Sequence, residues 1–104
     1  RHLSIFLRDE DDHVVGGLLG GTYWGWLYVD RLWIDEMARG QGQGHALLCM
    51  AEEEAIRRGC HYVHLSSHSF QDFEFYKRHG YRKAGELPNL PPGHSKYLFW
   101  KELS

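Results

Sequence analysis

The sequence predicts a mixed α/β fold, a mainly antiparallel central sheet with two helices interleaved among its strands. Three observations point there. Branched, aromatic and glycine-rich runs of strand character fill the first third of the chain. An amphipathic helical period then takes over from Gly44 to Arg58, and a second runs from Phe70 to His79. Strand-like segments follow each helix, so the expected order is βββαβαββ.

The first element is the apolar run Leu3 to Leu7, and the charged stretch Arg8-Asp9-Glu10-Asp11-Asp12 after it is a turn joining hairpin strands. His13 to Thr22 and Gly25 to Ile34 read as two further strands, antiparallel to their neighbours. By the period-two rule, Tyr28, Asp30, Leu32 and Ile34 share one face of the third strand, and Leu27, Val29, Arg31 and Trp33 the other. In the first helix Leu47, Leu48, Ala51, Ala55 and Ile56 form the apolar stripe, with Glu52, Glu53, Glu54, Arg57 and Arg58 outside it. Gly59 is the stop signal. His61 to Ser66 is a strand, Phe70 to His79 a helix ended by Gly80, and Tyr81 to Leu87 and Lys96 to Glu102 the last strands, with a loop at Pro88 to Gly93.

A length of 104 residues fits one domain, 1–104, and leaves no room for a second core. Hydrophobic residues at 42% and charged residues at 25% exclude a disordered tail and a membrane protein. Twelve Lys+Arg against 14 Asp+Glu give a formal charge of −2, and the bases are scattered, so nothing marks a nucleic-acid surface. No run approaches the roughly 18–20 apolar residues of a membrane span. Cys49 and Cys60 read as reduced, buried thiols of a cytoplasmic protein. The start at Arg1-His2-Leu3 with no methionine reads as that of a fragment of a longer protein.

The segment richest in chemistry is Arg39-Gly40-Gln41-Gly42-Gln43-Gly44, between a strand and the first helix. Its glycines let the backbone approach a ligand, and the helix start behind them offers unpaired N–H groups and a positive dipole end. That is an anion site, phosphate above all, to which Arg39 adds a charge-assisted bond. A Walker loop requires Gly-Lys-Ser/Thr, whereas Gly44 is followed by His45 and Ala46. The dinucleotide fingerprint requires G-x-G-x-x-G directly after a strand, whereas these glycines are evenly spaced and Asp35 to Ala38 intervene. Nucleotide hydrolysis and nicotinamide chemistry are both disfavoured.

Arg39-x-x-Gly42-x-Gly44 after Leu32-Trp33-Ile34 and before Leu47-Leu48 resembles the pyrophosphate motif of the GNAT superfamily of N-acetyltransferases. Phe75-Tyr76-Lys77-Arg78-His79-Gly80-Tyr81 resembles the second-helix signature of the same superfamily, and the likeness covers Leu3 to Leu103. The resemblance implies a GNAT-like acyl-CoA transferase that moves an acetyl group from acetyl-CoA to a primary amine by direct attack. It implies that the amides of Gln41, Gly42, Gln43 and Gly44 cradle the pyrophosphate with support from Arg39, and that Leu32, Trp33 and Ile34 pair with the pantetheine arm. Tyr76 falls where the family keeps a tyrosine as general acid toward the leaving thiolate, and a phenol with pKa near 10 suits that task.

The family's usual first strand and two helices, which help form the acceptor pocket, have no counterpart ahead of Leu3. Either the chain belongs to a longer protein or a partner subunit supplies the wall; the edge strand Leu3 to Leu7 favours a homodimer. The competing reading is a non-catalytic acyl-CoA-binding or assembly module. The acceptor is a small-molecule or protein amine, with no nucleic acid, membrane or metal implied.

Several side chains carry paired readings. Asp30, in the row of Leu32 and Ile34, reads as a general base or amine anchor, or as a hairpin carboxylate paired with Arg31 or a lysine. Glu36 does the same work through a water or is a solvated loop acid. Cys60, His64 and His68 recur every four residues, but along a strand four residues span roughly 13 Å, too far to share an ion. His64 reads as a core or rim residue, and His68, beyond the strand end and just ahead of the second helix, as a candidate for lining the active-site mouth. Trp24 and Trp26 line an acceptor pocket or pack the sheet. Ser67-His68-Ser69-Phe70-Gln71 resembles the strand-to-helix loop of a bacterial GNAT group, which implies coenzyme or substrate contacts for Ser67 and Gln71, while Ser69 reads as a helix cap.

Overall fold

The computed structural model describes residues 1–38, 40, 42–69 and 73–103, with Met37 described in its backbone only. Arg39, Gln41 and Gln71, singled out above, lie outside the described residues, as does Phe70 at the expected start of the second helix.

The strands are β1 (His2–Arg8), β2 (Val14–Tyr23), β3 (Trp26–Ile34), β4 (Tyr62–His68), β5 (Arg82–Pro88) and β6 (Ser95–Glu102). A short 3-10 turn (Glu36–Ala38) leads to helix α1 (Gln43–Arg57), and helix α2 (Phe73–Arg78) follows β4. The expected order is observed. The sheet runs β1-β2-β3-β4-β6-β5, antiparallel throughout except where β3 meets β4. That one parallel pair results from the βαβ crossover through α1. The charged turn before β2 is locked by Asp9, whose Oδ1 accepts from the Asp11 and His13 amides at 2.9 Å each.

The core lies between one face of the sheet and α1. Leu47, Leu48, Ala51 and Ala55 of α1 are fully buried against Leu18, Leu27, Val63 and Phe99. Two positions of the expected stripe are exchanged: Ile56 is exposed, and the Glu52 side chain is only 14% exposed. Glu52 is satisfied inside, where Lys101 Nζ donates to Oε1 at 2.9 Å and Tyr81 Oη to Oε2 at 2.6 Å. A carboxylate with two such donors keeps most of what water would have supplied. Cys60 is buried as expected, but Cys49 is only half-buried.

Both helices end on a left-handed glycine. Gly59 has φ 84°, its N–H donates to the Ile56 carbonyl, and the Cys60 N–H donates to that of Ala55. Gly80 has φ 87°, with the Gly80 N–H on Lys77 and the Tyr81 N–H on Tyr76. These are paired six-to-one and five-to-two bonds, which satisfy the orphan carbonyls of a last turn. At the second of them the Tyr76 and Tyr81 rings meet edge to face at 5.9 Å, the hydrophobic contact that accompanies this stop.

The predicted faces of β3 are wrong beyond Val29. Leu19 pairs with Arg31 and Gly20 with Val29, so Asp30 is an extra residue, a β-bulge. The bulge resets the alternation. Leu32 and Ile34 therefore join Leu27 and Val29 against the core, while Trp33 meets Phe6 and the Arg31 guanidinium on the opposite face. Gly20 is required there, because a Cβ on it would lie 2.0 Å from the Tyr28 carbonyl oxygen.

Candidate active site

Strands β3 and β4 are paired only from Trp26 opposite Tyr62 to Val29 opposite Leu65. Beyond that point they part. Among the described residues, β3 continues to Ile34 paired with β2, and β4 continues to His68 paired with β6. The second edge of Leu32 and Trp33 pairs with no described strand, and an edge of this kind can bond an extended ligand along its main chain.

Helix α1 follows the end of β3 through residues 35–42. Its N-cap is Gly42 at φ 77°, with no side chain bonded over the first turn, and the first intrahelical bond runs from the Ala46 N–H to the Gly42 carbonyl. The start of α1 carries the positive end of a 15-residue helix. Of the expected cradle, Gly42, Gln43 and Gly44 are at this helix start, while Arg39 and Gln41 are outside the described residues.

Helix α2 stands beside the same helix start, since a Cβ on Gly44 would lie 3.5 Å from Phe75 Cζ. The next residue, Tyr76, packs its ring against Phe75, Tyr81 and Phe99 at centroid distances of 5.1, 5.9 and 5.9 Å. The tyrosine is held by buried rings and by the helix stop at Gly80.

Asp30 is exposed and accepts a 3.0 Å hydrogen bond from the Tyr28 hydroxyl, not from Arg31 or a lysine. Its expected row with Leu32 and Ile34 is broken by its own bulge. The bond to Asp30, with some burial, holds the Tyr28 phenol above its ordinary pKa, so Tyr28 stays a donor. On the same side of β3, Tyr28 stacks on His64 at 4.9 Å, and His64 Nε2 shares a 2.7 Å hydrogen bond with Tyr23 Oη. Burial pushes the His64 pKa down and keeps the imidazole neutral. His64 also lines a cleft of about 730 Å³ with Trp24, Trp26, Leu98 and Trp100. Trp24, at the hairpin tip, is 92% exposed.

The linkage of Asp30, Tyr28, His64 and Tyr23 is absent from the sequence reading. Its one sequence signal is the aromatic density of β2 and β3. His68 is the last residue of β4, opposite Lys96, and not beyond the strand. The Ser69 hydroxyl accepts from the Ser95 amide at 2.9 Å and fixes the start of β6; the residues a helix cap would reach, 70–72, lie outside the described residues. Glu36 is exposed in the 3-10 turn, and Ser67 is buried.

Among the described residues, the sheet is a mixed α/β one whose third and fourth strands part after Val29 and Leu65. Residues 1–81 match the model of the acetyltransferase (GNAT) family. The chain is 43% identical over 102 residues to an acetyltransferase from Agrobacterium fabrum, covering 98% of this chain and 73% of that protein. It is 43% identical over 101 residues to the blasticidin-S acetyltransferase of Streptomyces morookaense, covering 96% and 74%. The crystal structure of an acetyltransferase from Bacillus cereus superimposes with a TM-score of 0.94 at 40% identity, over 98% of this chain and 73% of that one. The chain belongs to the GNAT family of acetyltransferases. It is an acyl-CoA N-acyltransferase whose donor is acetyl-CoA. No helix among the described residues is long and apolar enough to cross a membrane.

Proposed function

We propose that the domain spanning residues 1–104 transfers the acetyl group of acetyl-CoA to a primary amine by direct attack. The observation that carries this reading is the parting of β3 and β4 after Val29 and Leu65, together with the closeness of Gly44, at the start of α1, to Phe75 of the helix that carries Tyr76. The amides of Gln41, Gly42, Gln43 and Gly44 bind the pyrophosphate, and Arg39 supports them. The segment Leu32, Trp33 and Ile34 takes the pantetheine arm. The amine attacks the thioester carbon and forms a tetrahedral intermediate. As the C–S bond breaks, Tyr76 gives its phenolic proton to the departing thiolate. Asp30 anchors the incoming ammonium or takes its proton, an assignment that rests on its exposure at the bulge and its bond to Tyr28.

The acceptor class we favour is the free amine of an antibiotic, because one relative at 43% identity is a blasticidin-S acetyltransferase. The exposed outer edge of β1 supports a homodimer, and the two free thiols suit the cytoplasm. A thiol-release assay with acetyl-CoA and a panel of blasticidin S, spermidine and a lysine peptide tests the reading. Release of coenzyme A that depends on an amine and is lost in Tyr76→Phe supports it. Release independent of amine, or unchanged in Tyr76→Phe, overturns it.

A further inference from the structure

The acetyl-transfer reading leaves one largely buried carboxylate unused. Glu52 lies on α1 about 12 Å along the helix axis from Gly44. Both of its oxygens accept a charge-assisted or phenolic hydrogen bond, from Lys101 Nζ at 2.9 Å and from Tyr81 Oη at 2.6 Å. The same ammonium donates to the His79 carbonyl at 2.9 Å and lies 5.1 Å from the centre of the buried Tyr81 ring.

These groups close around the segment that carries Tyr76. The Tyr76 carbonyl accepts from the His79 amide at 3.1 Å and from the Tyr81 amide at 3.0 Å. The His79 carbonyl is held by Lys101, and the Tyr81 ring, which meets the Tyr76 ring edge to face at 5.9 Å, is held by Glu52. No residue of α2, Phe73–Arg78, is fully buried. The place of its tyrosine is therefore set by what the end of the helix is tied to, and those ties converge on Glu52. Helix α1 thus meets the Tyr76 segment at two levels: at its start, where Gly44 approaches Phe75, and two turns further on, where Glu52 bonds Tyr81.

Stability alone does not call for a charge here, because replacing a buried ion pair by apolar side chains is often neutral or stabilising. What the carboxylate adds is direction, since its two oxygens fix the Tyr81 hydroxyl and the Lys101 ammonium at once.

We propose that Glu52 is a positioning residue for acetyl transfer, holding Tyr81 and Lys101 so that the Tyr76 phenol keeps its place. The inference rests on the reading of Tyr76 as general acid. Glu52 touches neither donor nor amine; it acts through Tyr81 and through the helix stop that Lys101 ties down. Without the carboxylate the phenol drifts, and a misplacement of about 1 Å lowers a rate by about a hundredfold. Coenzyme binding, made at the start of α1, is left as it was.

The test is a double-mutant cycle of Glu52→Gln and Tyr76→Phe. It is read as acetyl-CoA affinity by calorimetry and as turnover in the thiol-release assay with blasticidin S, spermidine and the lysine peptide. Glu52→Gln is expected to lower kcat by about ten- to a hundredfold with acetyl-CoA affinity unchanged. On a Tyr76→Phe background the same substitution lowers turnover no further, since the group it places is gone. A role confined to stability lowers turnover equally in both backgrounds, and that result overturns the inference. Tyr81→Phe, which removes only the donor, reproduces the pattern and takes the place of Glu52→Gln in the cycle if that variant does not fold. Glu54→Gln, on the same helix but paired with Arg57 and Arg58, keeps native turnover. Fluorine NMR of the chain labelled with fluorotyrosine gives a readout that needs no acceptor. The Tyr76 resonance, assigned by its absence in Tyr76→Phe, is a single narrow line in the native chain and is broadened or split in Glu52→Gln. An unchanged Tyr76 line, or turnover lost in Tyr76→Phe but kept in Glu52→Gln, overturns this inference alone. Turnover kept in Tyr76→Phe overturns the acid reading and this inference with it.

Discussion

Val29 is the last residue of β3 to pair with β4, opposite Leu65, and the residue after it, Asp30, is a bulge against β2. The two irregularities fall at one place on opposite edges of the same strand. A bulge bends and twists its strand, which turns β3 away from β4 where the pairing ends. The gap proposed to hold the pantetheine arm thus follows from one extra residue, and that residue needs a glycine opposite it.

Gly20→Ala places a methyl group 2.0 Å from the Tyr28 carbonyl oxygen, on backbone that cannot step aside as a side chain does. The expected cost is about 1–3 kcal/mol of stability, as for overpacking. Thermal unfolding should fall by roughly 5 °C or more. An unchanged melting temperature contradicts the role given to the bulge.

Tyr81→Phe removes the donor to Glu52 Oε2 and leaves that buried carboxylate with Lys101 alone. Burial, with the nearby Glu52 charge and the bond to it, holds the Tyr81 phenol far above its ordinary range, so it donates at every working pH. Loss of a hydrogen bond to a charged group costs about 1–3 kcal/mol, measurable by denaturant unfolding. Lys101→Met on top of Tyr81→Phe should cost more than the sum of the separate changes, because only the pair leaves Glu52 stranded.

Much of this is legible in the sequence, and the boundary is physical. The stripe of Leu47, Leu48, Ala51 and Ala55, the stops at Gly59 and Gly80 and the glycine loop are local signals with fixed periods, and the elements fall where they point. The faces of β3 are not local. They depend on Leu19 and Gly20 of another strand, and a single bulge reverses every residue after Asp30. Glu52 looks like a solvent residue because Tyr81 and Lys101, its partners inside, lie 29 and 49 residues away.

His64 supplies a pH dependence. Burial lowers its folded-state pKa below the ordinary value of about 6.5, so between those two values the unfolded chain binds more protons than the folded one. Stability is therefore full above about pH 6.5 and declines as the pH falls toward the lower, folded value. His64→Gln should flatten that part of the profile in denaturant titrations from pH 7.5 to 5. An equally steep decline in the variant counts against a buried, neutral His64.

Tyr76→Phe tests the acid. The ring packing against Tyr81 and Phe99 is kept, so acetyl-CoA affinity should hold while turnover falls by about a hundredfold, the lower range for a lost general acid. Equal losses in affinity and turnover would make the hydroxyl a binding group instead.

The most direct test of the account is calorimetric titration of acetyl-CoA into the 104-residue chain and into Gly42→Glu, with Tyr76→Phe as the control. A glutamate at the helix start fills the cradle and repels the pyrophosphate. The account predicts saturable binding to the native chain and to Tyr76→Phe, and its loss in a folded Gly42→Glu protein. Binding to Gly42→Glu with native affinity would contradict it and place the coenzyme elsewhere.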